Sequence, residues 1–185
     1  MKAIGFAGSG RKDGNSTTLL RELLAGMAEA GADTELVFLS DLSYRGCLGC
    51  LSCMSTGECV QEDDVRPLYP KLREASLWAF ASPIYFDGVS GLAKSMFDRL
   101  YPFTHPPGKL AGRRAGVILV TYEDRPRDDY RDVAGRLANY LGWMGDFRSE
   151  VVAEGSLGPA GAAAQRPDLL ERVRDLGRSM TKALR

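Results

Sequence analysis

Lys2-Ala3-Ile4-Gly5-Phe6-Ala7 runs without a break into Gly8-Ser9-Gly10-Arg11-Lys12-Asp13-Gly14-Asn15-Ser16-Thr17, and then into Thr18-Leu19-Leu20. The first six residues are a short apolar run, as a buried strand is. Over residues 16–30 the period changes, and Leu19, Leu20, Leu23, Leu24 and Met27 fall on one stripe of a helix that Gly31 stops. A strand that passes through a glycine turn straight into a helix is the opening unit of a parallel α/β sheet. The turn also carries chemistry. Glycines let backbone N–H groups approach an anion closely, and the helix N-terminus adds free donors and the positive end of its dipole. Ser9, Ser16 and Thr17 bring hydroxyls, Asn15 an amide, Arg11 a fixed charge and Gly10 bare backbone. That combination suits a terminal phosphate. A Walker loop would place Lys before Ser or Thr at the helix start, where this chain has Asn15-Ser16. The dinucleotide fingerprint wants its third glycine three residues after the second, and Gly14 comes four after Gly10. The plainer alternative is a glycine turn that caps a helix and binds nothing.

Outward from this unit the alternation continues. Buried-strand runs recur at residues 33–39, 76–82, 114–121 and 147–153, and amphipathic stretches at 64–74, 90–101, 127–141 and 167–184. Five strands alternating with five helices predict a doubly wound α/β fold of flavodoxin-like type. Its parallel sheet has the order 2-1-3-4-5, with helices on both faces. The expected organisation is a single domain over residues 1–185, with a cysteine-rich loop at 46–60 inserted after strand two. In such a sheet ligands bind beyond the carboxyl ends of the strands, which singles out the loops at 8–15, 40–63, 83–89 and 122–126. The chain has 185 residues, 24 of them Lys or Arg and 24 Asp or Glu, so the net charge is zero. That balance argues against a dedicated nucleic-acid or membrane-surface binder. No apolar run reaches the roughly 20 residues of a membrane span, and the first ten residues lack the make-up of a signal peptide. The expected location is the cytoplasm.

The loop after strand three reads Ser82-Pro83-Ile84-Tyr85-Phe86-Asp87-Gly88-Val89-Ser90-Gly91. Pro83 gives a rigid exit from the strand. Tyr85 and Phe86 are flat groups on an expected surface loop, and backbone amides beside them suit a planar ring with a polar edge. Asp87 and Gly88 complete this shelf. The alternative is that the aromatics fold inward onto the next helix. Gly8-Ser9-x-Arg11-x-x-Gly14-Asn15-Ser16, Ser82 to Phe86, Ser90-Gly91 and Phe97-Asp98-Arg99 together resemble the NAD(P)H-dependent FMN reductase family. The likeness covers about the first 125 residues. It implies non-covalent FMN, with its phosphate on Ser9, Arg11, Asn15, Ser16 and Thr17 and its isoalloxazine along Pro83, Ile84, Tyr85 and Phe86. NAD(P)H is the donor it implies. The turn at 121–126 departs from the glycine-rich turn of many relatives.

All four cysteines, Cys47, Cys50, Cys53 and Cys59, fall in one loop with the spacing C-x2-C-x2-C-x5-C. Three readings compete: a [4Fe–4S] cluster on four thiolates, a structural zinc, and free or disulfide-forming thiols. Zinc more often takes two separated C-x2-C pairs. The loop follows strand two and is expected to open at the same rim as the flavin loops. The arrangement resembles the iron–sulfur flavoproteins, a branch of the same family, and Asp63-Asp64 after Cys59 fits that likeness. The implied activity is an FMN-dependent oxidoreductase that moves electrons from a reduced donor to a small acceptor. A cluster-free NAD(P)H-dependent FMN or quinone reductase, a non-enzymatic electron carrier and a redox-sensing module are the alternatives. Donor and acceptor would be small molecules or redox proteins, and relatives suggest a homo-oligomer, dimer or tetramer. No side chain is assigned as catalytic acid or base. His105, the one histidine, reads as a loop residue. Trp143 is expected to cover the core or a subunit contact, and residues 155–164 read as a mobile loop or interface segment.

Overall fold

The computed structural model describes residues 1–123 and 130–185. Its sheet runs β2 (Asp33–Phe38), β1 (Lys2–Ala7), β3 (Leu77–Tyr85), β5 (Arg113–Thr121), β6 (Asp146–Glu154), all parallel. This is the expected order. One strand is additional. β4 (Gly88–Val89) folds back antiparallel on the end of β3, pairing Ile84 with Val89 and Tyr85 with Gly88. The two turn residues, Phe86 (φ 48°) and Asp87 (φ 59°), both take the left-handed conformation. A two-residue hairpin whose twist matches its strands demands that backbone. The sequence lacks the usual Asn-Gly signature there, so the hairpin reads as a plain loop.

Alternation along the buried strands sorts the core into two layers. Ile4, Phe6, Trp78, Phe80, Ile118 and Val120 face one side. They pack under α3 (Leu68–Glu74), α4 (Gly91–Asp98) and α5 (Arg131–Met144) through Leu72, Met96, Phe97, Leu137 and Leu141. Phe6 and Phe80 stack at 4.9 Å there. The opposite face is rich in alanine, with Ala3, Ala7, Ala79, Ala81 and Ala115. Small residues there let α1 (Asn15–Glu29) and α6 (Pro167–Lys182) lie close to the sheet and to each other. Where those helices touch, a Cβ on Gly26 would stand 1.9 Å from the Arg174 carbonyl oxygen, and one on Gly177 2.2 Å from that of Leu23.

Several sequence expectations need correction. The helix expected from residue 64 begins only at Leu68, because Asp63 and Asp64 are used elsewhere. Asp64 accepts a hydrogen bond from the Ser43 N–H at 2.7 Å, and Asp63 pairs with Arg99. Ahead of these acids, residues 53–56 form the short helix α2 (Cys53–Thr56). Trp143 is 62% exposed, against Tyr140, and so covers no core. The segment at 155–164 is anchored, with Leu157 and Ala163 buried. Asp128-Asp129, the expected helix start at 127 and part of the turn at 121–126 lie outside the described residues. Among the described residues no helix is long and apolar enough to cross a membrane.

Candidate functional site

The glycine turn after β1 is built around two acceptors. The Ser9 hydroxyl oxygen accepts the Arg11 N–H at 3.1 Å, and the Arg11 carbonyl accepts the Gly14 N–H and the Thr17 hydroxyl, each at 3.2 Å. Among the described residues no side chain caps α1. Among the described residues the N–H groups of Asn15, Ser16 and Thr17 have no backbone acceptor. Three orphan donors at the start of a 15-residue helix, with no acidic side chain in its first turn, form an electropositive end. Gly8 sits where α4 approaches most closely: a Cβ there would meet that of Ala93 at 2.7 Å. The N-cap of α4, Ser90, donates to the Gly8 carbonyl at 2.5 Å and accepts the Ala93 N–H at 3.1 Å.

A cavity of about 280 Å³ opens over this turn. Of the expected residues, Ser9, Arg11, Asn15, Ser16, Pro83, Ile84 and Tyr85 line it. Gly10, Thr17, Phe86, Asp87 and Gly88 do not. Thr17 is fully buried as a brace of the turn. Phe86 is fully exposed at the hairpin tip, folding neither inward nor over the cavity. Asp87 accepts the Tyr130 hydroxyl at 2.6 Å. Asn15 lines the cavity, but its amide is committed. Nδ2 donates to the carbonyls of Leu157 (2.7 Å) and Pro159 (2.9 Å), and Oδ1 accepts the Ala163 N–H at 3.0 Å. It therefore fastens the 157–163 segment as the cavity's far wall, where Leu157, Gly158 and Ala160 join Thr121, Tyr122 and Glu123. The sequence singled out the 122–126 side of this wall but not its 157–160 side, where a Cβ on Gly158 would meet the Glu123 side chain at 3.0 Å.

All four cysteines line a second cavity, of about 230 Å³, with Leu48, Leu51, Arg99 and Tyr101 on its wall. They are free thiols, Cys47 and Cys50 exposed and Cys53 and Cys59 half-buried. Left-handed backbone at Gly49, Leu51 and Gly57 turns the chain around the cavity. Gly57 must be glycine for a second reason, since a Cβ would strike the Gly108 backbone at 2.9 Å. The Ser52 N–H holds the Cys50 thiol below its ordinary range, and burial pushes Cys53 up. Among the described residues no three His, Cys, Asp or Glu side chains are gathered as ligands of one ion.

Beneath the cavity lies an ion pair that the sequence reading did not assign. Arg99 carries a fully buried side chain that donates from Nη1 to Asp63 Oδ2 at 2.6 Å and from Nη2 to Oδ1 at 3.0 Å. Burial alone would raise the Asp63 carboxyl. Arg99 and the N–H groups of Val65 and Arg45 outweigh it and hold the carboxyl below its usual range. Burial, followed by the charge on Cys59, pushes the Tyr69 hydroxyl up, and that hydroxyl donates to the Arg99 carbonyl at 2.8 Å.

The two cavities have no lining residue in common. From β2 the chain descends along α4. The Tyr44 hydroxyl donates to the Leu92 carbonyl at 2.7 Å, and Arg99 Nη1 donates to the Arg45 carbonyl at 2.9 Å. The glycine turn meets the first turn of α4 and the cysteine cavity its last. The helix's eight residues put about 12 Å between those ends.

An open parallel sheet whose glycine-rich strand-to-helix turn lies at its switch point defines a doubly wound α/β protein. The profile of the NADPH-dependent FMN reductase family matches residues 1–128, and the chain belongs to that family. An iron–sulfur flavoprotein of Methanocaldococcus jannaschii is 43% identical over 102 residues, 55% of this chain and 53% of that protein. An iron–sulfur flavoprotein of Archaeoglobus fulgidus is 38% identical over 120 residues, 65% of this chain and 54% of that protein. The chain spans about half the length of these curated relatives. Among solved structures, the NAD(P)H:quinone oxidoreductase of Methanothermobacter marburgensis superposes with a TM-score of 0.69 at 20% identity, covering 96% of this chain and 98% of that one. A flavodoxin from the domain Archaea gives 0.61 at 14% identity, covering 100% and 99%. At these identities both likenesses speak for the fold alone.

Proposed function

We propose that this chain is an FMN-dependent oxidoreductase that also holds a [4Fe–4S] cluster, moving electrons from a reduced donor to a small acceptor. The observation that carries the reading is the gathering of all four cysteines on one cavity, in the same fold as an uncapped, phosphate-ready turn. The residues fit both groups. The orphan N–H groups of Asn15, Ser16 and Thr17, with Arg11 and the hydroxyls of Ser9 and Ser16, would hold the flavin phosphate. Pro83, Ile84 and Tyr85 would flank its ring on one side, and Thr121, Tyr122 and the 157–160 segment on the other. Four thiols spread around a void, with no set converging on one point, suit a multinuclear group better than a single zinc.

Bound FMN supplies hydride and one-electron chemistry, and an iron–sulfur cluster passes single electrons. The protein's part is positional. The turn fixes the phosphate, the clamped far wall excludes water from the ring, and α4 spaces the two centres. NAD(P)H or a redox protein would be the donor, with the chain working as a homo-oligomer in the cytoplasm.

Protein purified without oxygen tests this in one sample, by non-haem iron, acid-labile sulfide and released FMN per chain. The expected result is about four iron and four sulfide beside one FMN. FMN without iron or sulfide would overturn the cluster and leave a cluster-free reductase with ordinary thiols.

A further inference from the structure

Arg99 lies on the apolar stripe of α4 and its neighbouring turn, with Met96, Leu100 and Phe103. Two of its three guanidinium nitrogens are spent, Nη1 on Asp63 and the Arg45 carbonyl and Nη2 on Asp63. Nε is buried and has no partner among the described residues. An N–H so placed is costly unless something accepts it. The residue also lines the cysteine cavity, whose other charged lining residue, Asp98, is held by Lys94 at 2.6 Å. The bidentate carboxylate of Asp63 fixes the plane of the guanidinium, so Arg99 does not swing out to solvent.

We propose that Arg99 is the positioning and charge-setting residue of the cysteine cavity, its free Nε–H donating to a sulfur of the anionic group that the four cysteines hold. This rests on the tetrathiolate reading above. Four thiolates gather negative charge in a small, largely apolar cavity. A fixed cation with one directed N–H offsets that charge from the buried side, where the Arg99 side chain has no exposed surface. One-electron reduction adds a further negative charge to the group, so a hydrogen bond to its sulfur strengthens in the reduced state and raises the reduction potential.

The test uses holoprotein prepared without oxygen and titrated with dithionite through redox mediators, the cluster absorbance being followed. Arg99→Lys keeps a cation opposite Asp63 but has no Nε–H. The expected result is a full iron complement with the reduced-to-oxidised ratio at fixed potential lowered about tenfold, which for a one-electron couple is a midpoint about 59 mV lower. Full iron with an unmoved midpoint overturns the inference. The unmodified protein gives a second readout that needs no variant. With arginine labelled by nitrogen-15, electron–nuclear double resonance on the reduced sample is expected to show a coupled arginine nitrogen. Its absence likewise overturns the inference. Wild-type protein that holds neither iron nor sulfide is a different failure, that of the tetrathiolate reading itself.

Discussion

Asn15 separates a phosphate ligand from a wall fastener. Replacing it by Ala removes three hydrogen bonds, two to the Leu157 and Pro159 carbonyls and one from the Ala163 N–H. At a net contribution of about 1 kcal/mol each, the loss is about 3 kcal/mol. It falls on the docking of the 157–163 segment, since Asn15 is the side chain that ties α1 to it by these bonds. At 1.4 kcal/mol per decade, the docked state weakens about 100-fold. Flavin affinity falls by up to that factor, because only the docked form presents the second wall of the cavity. Asn15 commits its amide to protein groups, so FMN and riboflavin should weaken by the same ratio. Ser16→Ala, which removes a hydroxyl from the cavity's phosphate end, should weaken FMN and leave riboflavin nearly unchanged. Quenching of flavin fluorescence on titration into apoprotein measures all of these constants. A loss of FMN affinity in Asn15→Ala with riboflavin untouched would refute the fastening role and return the amide to the phosphate.

Three further outcomes are expected. Gly26→Ala should cost about 1–3 kcal/mol in urea denaturation, because the new Cβ meets the Arg174 carbonyl across the α1–α6 contact and backbone cannot step aside; unchanged stability would mean the helices are not so tightly crossed. Asp63→Asn leaves the buried Arg99 without its counter-charge and should destabilise by about 3–5 kcal/mol; a loss under about 1 kcal/mol would show that solvent reaches the guanidinium. Burial pushes the Tyr44 hydroxyl up to about 12, so the folded protein keeps this proton where the unfolded chain releases it. Its stabilising effect is complete below the unfolded value of about 10 and is lost as pH climbs from there to about 12. The hydrogen bond to Leu92 goes with it, and the cysteine loop should loosen from α4 over that window, seen as ellipticity changes that Tyr44→Phe removes.

What the sequence displayed and what it hid differ by the distance over which each feature is written. The glycine turn is local. Strand, glycines, hydroxyls and helix follow one another within 20 residues, and the change of hydrophobic period marks both boundaries. The parallel order is legible for the same reason, because each βα unit announces itself. The role of Asn15 is not local: its partners lie 142 to 148 residues away, and an Asn at a helix start reads equally well as a ligand or a cap. The hairpin at Phe86-Asp87 was hidden because the fold imposes left-handed backbone on Phe86, a bulky residue that does not favour it. Arg99 lies between these cases. Its partner Asp63 is 36 residues distant, yet a charged residue falling on the stripe of Met96, Leu100 and Phe103 was readable as a break in pattern. A buried arginine needs a carboxylate, and the Asp63-Asp64 pair after Cys59 offers one. Pairing the two places the cysteine loop against the last turn of α4. One misplaced charge in an apolar stripe thus decided where the second cavity lies.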